Sequence, residues 1–171
     1  IQNFTTVSEK VEPEKMVRLM NEYLTEMTDI LLKNQGTLDK YIGDAIVAFN
    51  GAPAPVQDQE KKACSTALGM RDKLNDLRNK WKKENDWPEI VYSMQHRIGL
   101  NSGQMVTGNM GSQMRMNYTM MGDTVNLAAR LEPAAKQYGV YIFVGENIYK
   151  ASNDEYVFRF LDFLSVKGKN I

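Results

Sequence analysis

The sequence has few of the residues that cross-link a chain or bind transition metals. Among its 171 residues there is one cysteine, Cys64, and one histidine, His96. A single cysteine cannot form an intrachain disulfide, which is typical of proteins from reducing compartments. No apolar run approaches the roughly 20 residues that a membrane-spanning helix needs. We therefore expect a cytoplasmic domain, whose parent protein could still be tethered to a membrane.

The sequence also lacks a net charge. Lysine plus arginine and aspartate plus glutamate number 21 each, so no overall field favours nucleic acid or an acidic membrane as a partner. The hydrophobic fraction of 43% is ordinary for a soluble protein. At this length we expect a single domain over residues 1–171. Because the sequence starts without methionine and ends at Ile171 as if inside an element, we expect this domain to be truncated at both ends.

The periodicity of apolar residues predicts three helices and several strands. Spacings of three and four indicate amphipathic helices from near Pro13 to Gly36, over residues 58–84, and over residues 123–138. Residues typical of strands occur between these helices. The predicted strands are 1–6, 37–42, 45–49, 90–102, 114–120, 141–144 and 156–165, with a long hairpin over 103–121 and a helical turn at 146–150.

The order of these elements indicates the fold class. Strand, helix, strand, strand, helix and strand form a ferredoxin-like split βαββαβ plan. We expect an α+β protein in which one mostly antiparallel sheet is backed by helices on one face. The long hairpin would project from the sheet, and a small αβ unit would follow at the C-terminal end.

The first candidate site is the turn between the strands 37–42 and 45–49. Asp44 at a tight turn presents a carboxylate at a strand end, where a hard cation such as Mg²⁺ could bind together with substrate phosphates. Lys40, on the facing strand, could donate to a ring nitrogen or bind phosphate. Aspartate is also a common turn residue, and a strand lysine usually points to solvent. The segment alone therefore favours the structural reading.

The second candidate site lies on the predicted helix 123–138. Asn126 and Arg130 are four residues apart, so they share one helix face. An amide beside a guanidinium could hold a ribose oxygen and a phosphate in one geometry. A helix-surface amide and a structural ion pair are an equally good interpretation. Lys167 and Lys169 flank a glycine at the end of the chain, where a solvated role is the simpler reading.

Six segments together resemble the catalytic domain of the class III nucleotidyl cyclases, and specifically an adenylate cyclase. They stand in family order and span nearly the whole chain. The segments are 1–5 (IQNFT), 39–45 (DKYIGDA), 97–103 (RIGLNSG), 108–119, 122–131 and 166–169 (VKGK). A chance match of all six in order is very improbable.

The resemblance implies ATP as the substrate and two divalent metal ions, Mg²⁺ or Mn²⁺, as cofactors. Asp44 matches the second of two aspartates that hold the metals, and the carbonyl of Ile1 matches a further metal ligand. The backbone of Asn3, Phe4 and Thr5 matches the segment that cradles phosphate. The family's first metal aspartate stands immediately before the position of Ile1. We expect it in the parent protein, and we expect the fragment without it to cyclise ATP poorly.

The resemblance also implies which residues read the base and which stabilise the transition state. Lys40 matches the lysine that reads adenine, and Thr119 matches the second base-reading position. Threonine there resembles the subgroup that includes bicarbonate-responsive cyclases. Asn126 and Arg130 match the pair that orients the ribose and stabilises the pentavalent phosphorus. Lys167 matches the lysine that contacts the terminal phosphates.

The active site implied by the resemblance is shared between two subunits. Asp44 and the Phe4 segment of one subunit would face the base-reading and transition-state residues of the other. Because the chain contains both sets, a homodimer with two equivalent sites is expected, with the hairpin 103–121 as the dimerisation arm. An upstream regulatory or sensor domain is expected in the parent protein.

Other functions remain to be weighed against a cyclase. A regulatory pseudo-cyclase that dimerises and binds nucleotide stays open, because the first metal aspartate is outside the sequence. An RNA-binding sheet of the same plan would need aromatic residues on its central strands and a basic face. A diguanylate cyclase would need a Gly-Gly-Asp/Glu-Glu-Phe turn, whereas the turn here reads IGDA.

Overall fold

The computed structural model describes residues 1–164 of the chain. These residues form two compact units, the first from residues 1–57 and 65–96 and the second from residues 58–64 and 97–164. None of the helices in this part of the chain is long and apolar enough to cross a bilayer. In chain order the elements are α1 Phe4–Lys10, α2 Pro13–Lys33, β1 Thr37–Ile42, β2 Ala45–Phe49, α3 Gln59–Glu84, α4 Glu89–Tyr92, β3 Ile98–Leu100, β4 Val106–Ser112, β5 Arg115–Met121, α5 Asp123–Ala135, β6 Ile142–Val144 and α6 Glu146–Ser152.

The first unit is built on the long helices α2 and α3. Helix α2 begins at Pro13, which is favourable in the first turn because no intrahelical N–H is lost there. Leu19 and Trp81 are completely buried. The indole Nε1 of Trp81 donates to Oε2 of Glu22 over 2.9 Å, so its one polar atom is bonded. The predicted helices 13–36 and 58–84 are thus confirmed apart from their ends.

The first unit also contains the hairpin of β1 and β2, which confirms the strands predicted at 37–42 and 45–49. The strands pair antiparallel and close with Ile42 opposite Ala45. Gly43 takes the first turn position with φ of 61°, a conformation that glycine adopts without strain. The register shifts between Leu38 and Lys40, so Asp39 is an inserted residue in β1.

The second unit contains a parallel ladder and a long hairpin. Strands β3 and β6 pair in parallel, while β4 and β5 pair antiparallel from Val106 opposite Met121 to Ser112 opposite Arg115. The hairpin predicted over 103–121 is therefore confirmed. Helix α5 buries Leu131 and Ala135 beside Phe143 of β6, which places the core of this unit under the C-terminal half of α5.

The arrangement is mixed α and β with two antiparallel hairpins, as the predicted α+β class requires. The described strands pair two by two, in the orders β1-β2, β3-β6 and β4-β5, and not as one continuous ladder. The β3-β6 pair is parallel. Strand β6 and helix α6 form the small αβ unit predicted near the C-terminal end.

Three predicted strands are wrong in whole or in part. Residues 4–10 form helix α1, because the buried Val7 and Val11 are four residues apart and Asn3 is left-handed with φ of 51°. Residues 89–92 form α4, so only Ile98–Leu100 of the predicted strand 90–102 is extended and paired. Residues 156–164 form no strand, and Leu161 and Leu164 pack instead on the core of the second unit.

Candidate active site

Lys40 and Asp44 lie in the first unit on either side of one tight turn. Lys40 is in β1 opposite Val47, and Asp44 occupies the second turn position between Ile42 and Ala45. The side chain of Lys40 is 47% exposed and that of Asp44 is 20% exposed. The hairpin therefore holds a cation and a carboxylate four residues apart, both of them accessible to a ligand.

Ile1 lies beside Asp44 although they are 43 residues apart in the chain. The main-chain nitrogen of Ile1 contacts Oδ2 of Asp44. The next residue is fixed as well, since the N–H of Gln2 donates to the carbonyl of Gln95 over 2.7 Å. The structure thus brings together the two residues that the sequence predicts as metal ligands.

The predicted phosphate segment follows directly from Ile1. Asn3 is exposed and left-handed, and Phe4 and Thr5 open the first turn of α1. Their N–H groups are among those that a helix leaves without an intrahelical acceptor. Ile1, Asp44 and this segment all belong to the first unit.

The surroundings of Asp44 include a buried and uncharged pair. The hydroxyl of Tyr23 lies 3.0 Å from Nδ1 of His96. Burial raises the pKa of Tyr23, and the negative charge of Asp44 raises it further. Burial lowers the pKa of His96 to about 4. Both side chains are therefore neutral near pH 7, which agrees with a structural role for His96.

Asn126 and Arg130 lie on helix α5 of the second unit. Asn126 is exposed and Arg130 is half-buried. Within residues 1–164, neither side chain has a hydrogen bond or an ion pair. The structural ion pair that the sequence left open for Arg130 is thus absent from the described part of the chain. Both side chains are available to a ligand on one helix face.

The helix that carries Asn126 and Arg130 is attached closely to β3. A Cβ on Gly99 would lie 2.5 Å from the carbonyl oxygen of Ala128, so only glycine permits this approach. Nε of Arg97 donates to Oε1 of Glu132 over 2.8 Å. Arg97 thus has a structural role, because it joins the segment before β3 to α5.

A second attachment holds the N-terminal turn of α5. Nδ2 of Asn101 donates to the carbonyl oxygen of Thr124 over 3.0 Å. The sequence reasoning gave Asn101 and Glu132 no role, although Asn101 stands inside one of the six resembling segments. Their importance arises from contacts between α5 and the residues on either side of β3, which are distant in sequence and carry no local signal.

Thr119 and Lys167 complete the predicted set. Thr119 is half-buried in β5, opposite Gly108 of β4, in the second unit. Lys167 and Lys169 lie outside the described residues. Among residues 1–164, no group of three or more histidine, cysteine, aspartate or glutamate side chains could hold a metal ion. Asp44 and the carbonyl of Ile1, the two metal ligands predicted from the sequence, would supply only part of a ligand set for Mg²⁺.

Comparison with known proteins gives matches over the whole chain. The family model described as adenylate and guanylate cyclase catalytic domain matches residues 1–171. Adenylate cyclase 1 of Rhizobium meliloti (strain 1021) is 32% identical over 170 residues, which cover 99% of this chain and 25% of that protein. The chain thus spans about a quarter of the length of this relative.

Two solved structures are similar to the fold. The adenylyl cyclase CyaB from P. aeruginosa has a TM-score of 0.87 at 33% identity, covering 99% of this chain and 85% of that one. The guanylyl cyclase Cya2 has a TM-score of 0.85 at 29% identity, covering 100% of this chain and 83% of that one. These matches confirm the predicted fold class. Since the two structures differ in the purine that their names specify, the fold alone does not select the base.

Proposed function

The chain belongs to the adenylate and guanylate cyclase catalytic domains, the class III nucleotidyl cyclases, and from this premise we propose that it converts ATP to 3′,5′-cyclic AMP and pyrophosphate. The observation that carries the proposal is the state of Asn126 and Arg130. Their helix is fixed by neighbours at both ends, yet within residues 1–164 their side chains have no bonding partner. An ordered helix that offers a free amide and a free guanidinium suits a phosphate ester.

In the proposed reaction the ribose 3′ oxygen attacks the α-phosphorus. The 3′ hydroxyl loses its proton, a new phosphorus–oxygen bond forms, and the bond to the bridging oxygen breaks with its electron pair leaving on pyrophosphate. The amide of Asn126 would orient the ribose. Arg130 would donate to the non-bridging oxygens, whose charge rises in the transition state. Lys167 would act on the terminal phosphates.

The proposed metal position is at Asp44. The Asp44 carboxylate and the Ile1 carbonyl would hold two divalent ions together with an aspartate that we expect immediately before Ile1 in the full-length protein. Such ions lower the cost of the attacking alkoxide and balance charge on the leaving oxygens. The contact between Ile1 and Asp44 supports this placement, because it puts the main chain of residue 1 beside the carboxylate. The backbone of Asn3, Phe4 and Thr5 would donate to phosphate.

The proposed choice of adenine rests on Lys40 and Thr119. An ammonium group can donate to an adenine ring nitrogen, which accepts, and a hydroxyl can accept from the exocyclic amine. Guanine carries an N–H at that ring position, so the same lysine would face a donor. The side chain of Lys40 is accessible for this role, and Thr119 is half-buried.

We further propose a homodimer in which two subunits share each site. Apolar side chains of the β4–β5 hairpin support this, because Val106, Met114 and Met121 are 67%, 95% and 64% exposed. Large apolar side chains at this exposure are typical of a surface that is covered by a partner. Because the chain spans a quarter of the Rhizobium relative, a regulatory domain elsewhere in the full-length protein is part of the proposal.

The direct test is turnover by the full-length protein with ATP or GTP under Mg²⁺ and under Mn²⁺. We expect cyclic AMP from ATP, and we expect Arg130→Ala to reduce kcat by about 10²- to 10³-fold, as the loss of a transition-state donor does. Arg71→Ala is the matched control, since Arg71 is exposed and, among the described residues 1–164, pairs only with its neighbour Asp72. Repeating the assay with bicarbonate at fixed pH tests the resemblance to the bicarbonate-responsive subgroup.

Mixing two inactive variants tests the shared site. Asp44→Ala and Arg130→Ala damage opposite halves, so a heterodimer would keep one intact site of two. Since random exchange makes half of all dimers mixed, we expect about a quarter of the wild-type rate to return. A mixture without any recovered activity would contradict a site shared between subunits.

The alternative is a regulatory pseudo-cyclase that dimerises and binds nucleotide. This alternative stays open because the position of the family's first metal aspartate, immediately before Ile1, lies outside the sequence. ATP binding without cyclic AMP, in a full-length protein that has no aspartate before Ile1, would select this alternative.

A further inference from the structure

Strand β1 contains a bulge directly before the lysine proposed to read the base. Leu38 pairs with Ala48 and Lys40 pairs with Val47, so Asp39 is an extra residue on one strand only. In a regular strand, neighbouring side chains point to opposite faces. A bulge interrupts this alternation and redirects the side chains beside it.

Asp39 and Lys40 differ sharply in exposure although they are neighbours. The side chain of Asp39 is 2% exposed, whereas that of Lys40 is 47% exposed. Oδ1 of Asp39 lies 3.5 Å from Nζ of Lys40. A buried carboxylate is costly unless it is compensated by bonds or charges, and the ammonium group of Lys40 is one of those charges. A fixed negative charge therefore stands next to a mobile cation.

We propose that Asp39 is a positioning residue for Lys40, and that it directs the lysine ammonium group toward the purine base. The inference rests on the proposed function and adds a determinant of base selectivity to it. A lysine side chain has four rotatable bonds and loses much rotamer entropy when it is held in place. Attraction to the buried carboxylate narrows the directions that the ammonium group takes before the nucleotide arrives.

The base contact explains why direction matters. Adenine offers an accepting ring nitrogen at the position where guanine carries an N–H, but the neighbouring O6 of guanine also accepts. An ammonium group that is free to move can reach either the ring nitrogen of adenine or O6 of guanine. An ammonium group held by Asp39 would face the accepting ring nitrogen of adenine but the N–H of guanine. Restricting its position therefore favours ATP over GTP.

The test is a double-mutant cycle in the full-length protein, with initial rates for ATP and GTP. Asp39→Asn removes the charge and keeps the shape, and Lys40→Met removes the ammonium group. We expect Asp39→Asn to raise KM for ATP about three- to fivefold, as the loss of a partly exposed pair does, with kcat little changed. The ratio of kcat/KM for ATP to that for GTP should fall. In the Lys40→Met background, Asp39→Asn should have no further effect on either quantity.

Controls separate positioning from folding. Asp76→Asn makes the same change on an exposed part of α3 and should leave both nucleotides unaffected. Asp39→Glu keeps the charge and should retain more selectivity for ATP over GTP than Asp39→Asn. If asparagine prevents folding, Asp39→Glu replaces Asp39→Asn in the cycle. A purely structural Asp39 would lower activity by the same factor in both Lys40 backgrounds and would leave selectivity unchanged; that result overturns the proposal.

The role of Asp39 can be tested even without turnover. If the wild-type protein produces no cyclic nucleotide, the proposed function has failed, and the same cycle is then measured as Kd for ATP and GTP by titration calorimetry. Coupling between positions 39 and 40 in the ATP-to-GTP ratio of Kd supports Asp39 as the positioning residue. Additive effects on that ratio reject it.

Discussion

Nε of Arg97 lies 2.8 Å from Oε1 of Glu132, which ties the start of β3 to helix α5 across 35 residues of sequence. This pair and the bond from Asn101 to Thr124 hold α5 at two points. Asn126 and Arg130 lie on the helix between these points. The position of the proposed transition-state residues is therefore set by side chains that take no part in the chemistry.

The close approach of β3 to α5 predicts the effect of a single added methyl group. In Gly99→Ala the new Cβ would lie 2.5 Å from the carbonyl oxygen of Ala128 and 2.7 Å from the nitrogen of Glu132, so α5 must shift. We expect a loss of about 1–3 kcal/mol in the free energy of unfolding, as overpacking generally causes. Urea denaturation measures this loss, and the proposed cyclase rate should fall with it.

Gly108→Ala is the matched control for stability. A Cβ on Gly108 would meet nothing within 4 Å, and its backbone is not left-handed. This variant should unfold within about 0.5 kcal/mol of wild type. Equal losses for Gly99→Ala and Gly108→Ala would show that the contact with α5 is not responsible.

The sequence predicted the elements that depend on local pattern and missed those that depend on distant partners. Gly43 in a short turn between strand-forming residues predicted the β1–β2 hairpin, and spacing predicted that Asn126 and Arg130 share a face. The β-prone residues 1–6 predict a strand. Burial of Val7 and the left-handed Asn3 instead produce a helix.

The candidate site shows the same division. Neighbouring residues such as Lys40 and Asp44 could be grouped from the sequence alone. The contact of Ile1 with Asp44 spans 43 residues and was expected only from the family resemblance, whereas that of Arg97 with Glu132 spans 35 residues and was not predicted. Such pairs follow from tertiary packing, which overrides local preference and leaves no periodic signal.

The core of the first unit predicts a large cost for a truncated side chain on α2. Leu19 is completely buried, so Leu19→Ala should lower the free energy of unfolding by about 2–5 kcal/mol through lost burial and a remaining cavity. Val17 lies on the same helix and is 62% exposed. Val17→Ala should change the free energy of unfolding by at most about 0.5 kcal/mol in the same denaturation assay.

The only histidine predicts a pH dependence of stability. The unfolded chain protonates His96 near its ordinary pKa of about 6.5, whereas burial lowers the pKa in the folded state to about 4. The unfolded state therefore binds more protons below about pH 6.5. Above that pH the buried, neutral His96 contributes fully to the free energy of unfolding. As the pH falls toward 4, this contribution is lost, and the free energy of unfolding decreases by up to about 3 kcal/mol.

Urea denaturation between pH 5 and 7.5 measures this effect where most carboxylates stay ionised. His96→Gln removes the titrating group and keeps a hydrogen-bonding side chain for Tyr23. The variant should show a flatter profile over this range than wild type. Parallel profiles would mean that His96 is not the residue that titrates.

The single cysteine predicts a clear difference in reactivity between folded and unfolded chains. Cys64 is 5% exposed, and burial raises the pKa of its thiol. Because the thiolate is the reactive form, modification by a disulfide reagent at pH 7.5 should be at least about tenfold slower in the folded protein than in urea. Similar rates in both states would show that Cys64 is not protected.

The hairpin of β1 and β2 sets the separation of Lys40 and Asp44 by residue count. Pairing resumes directly after the turn, with Ile42 opposite Ala45. Adding or deleting one residue between them would move the following side chains to the other face of the strand. The length of this segment is therefore as much a requirement of the proposed site as the identity of Lys40 and Asp44. In a related protein, a one-residue gap in this segment would be expected to disrupt the site as a substitution of Asp44 does.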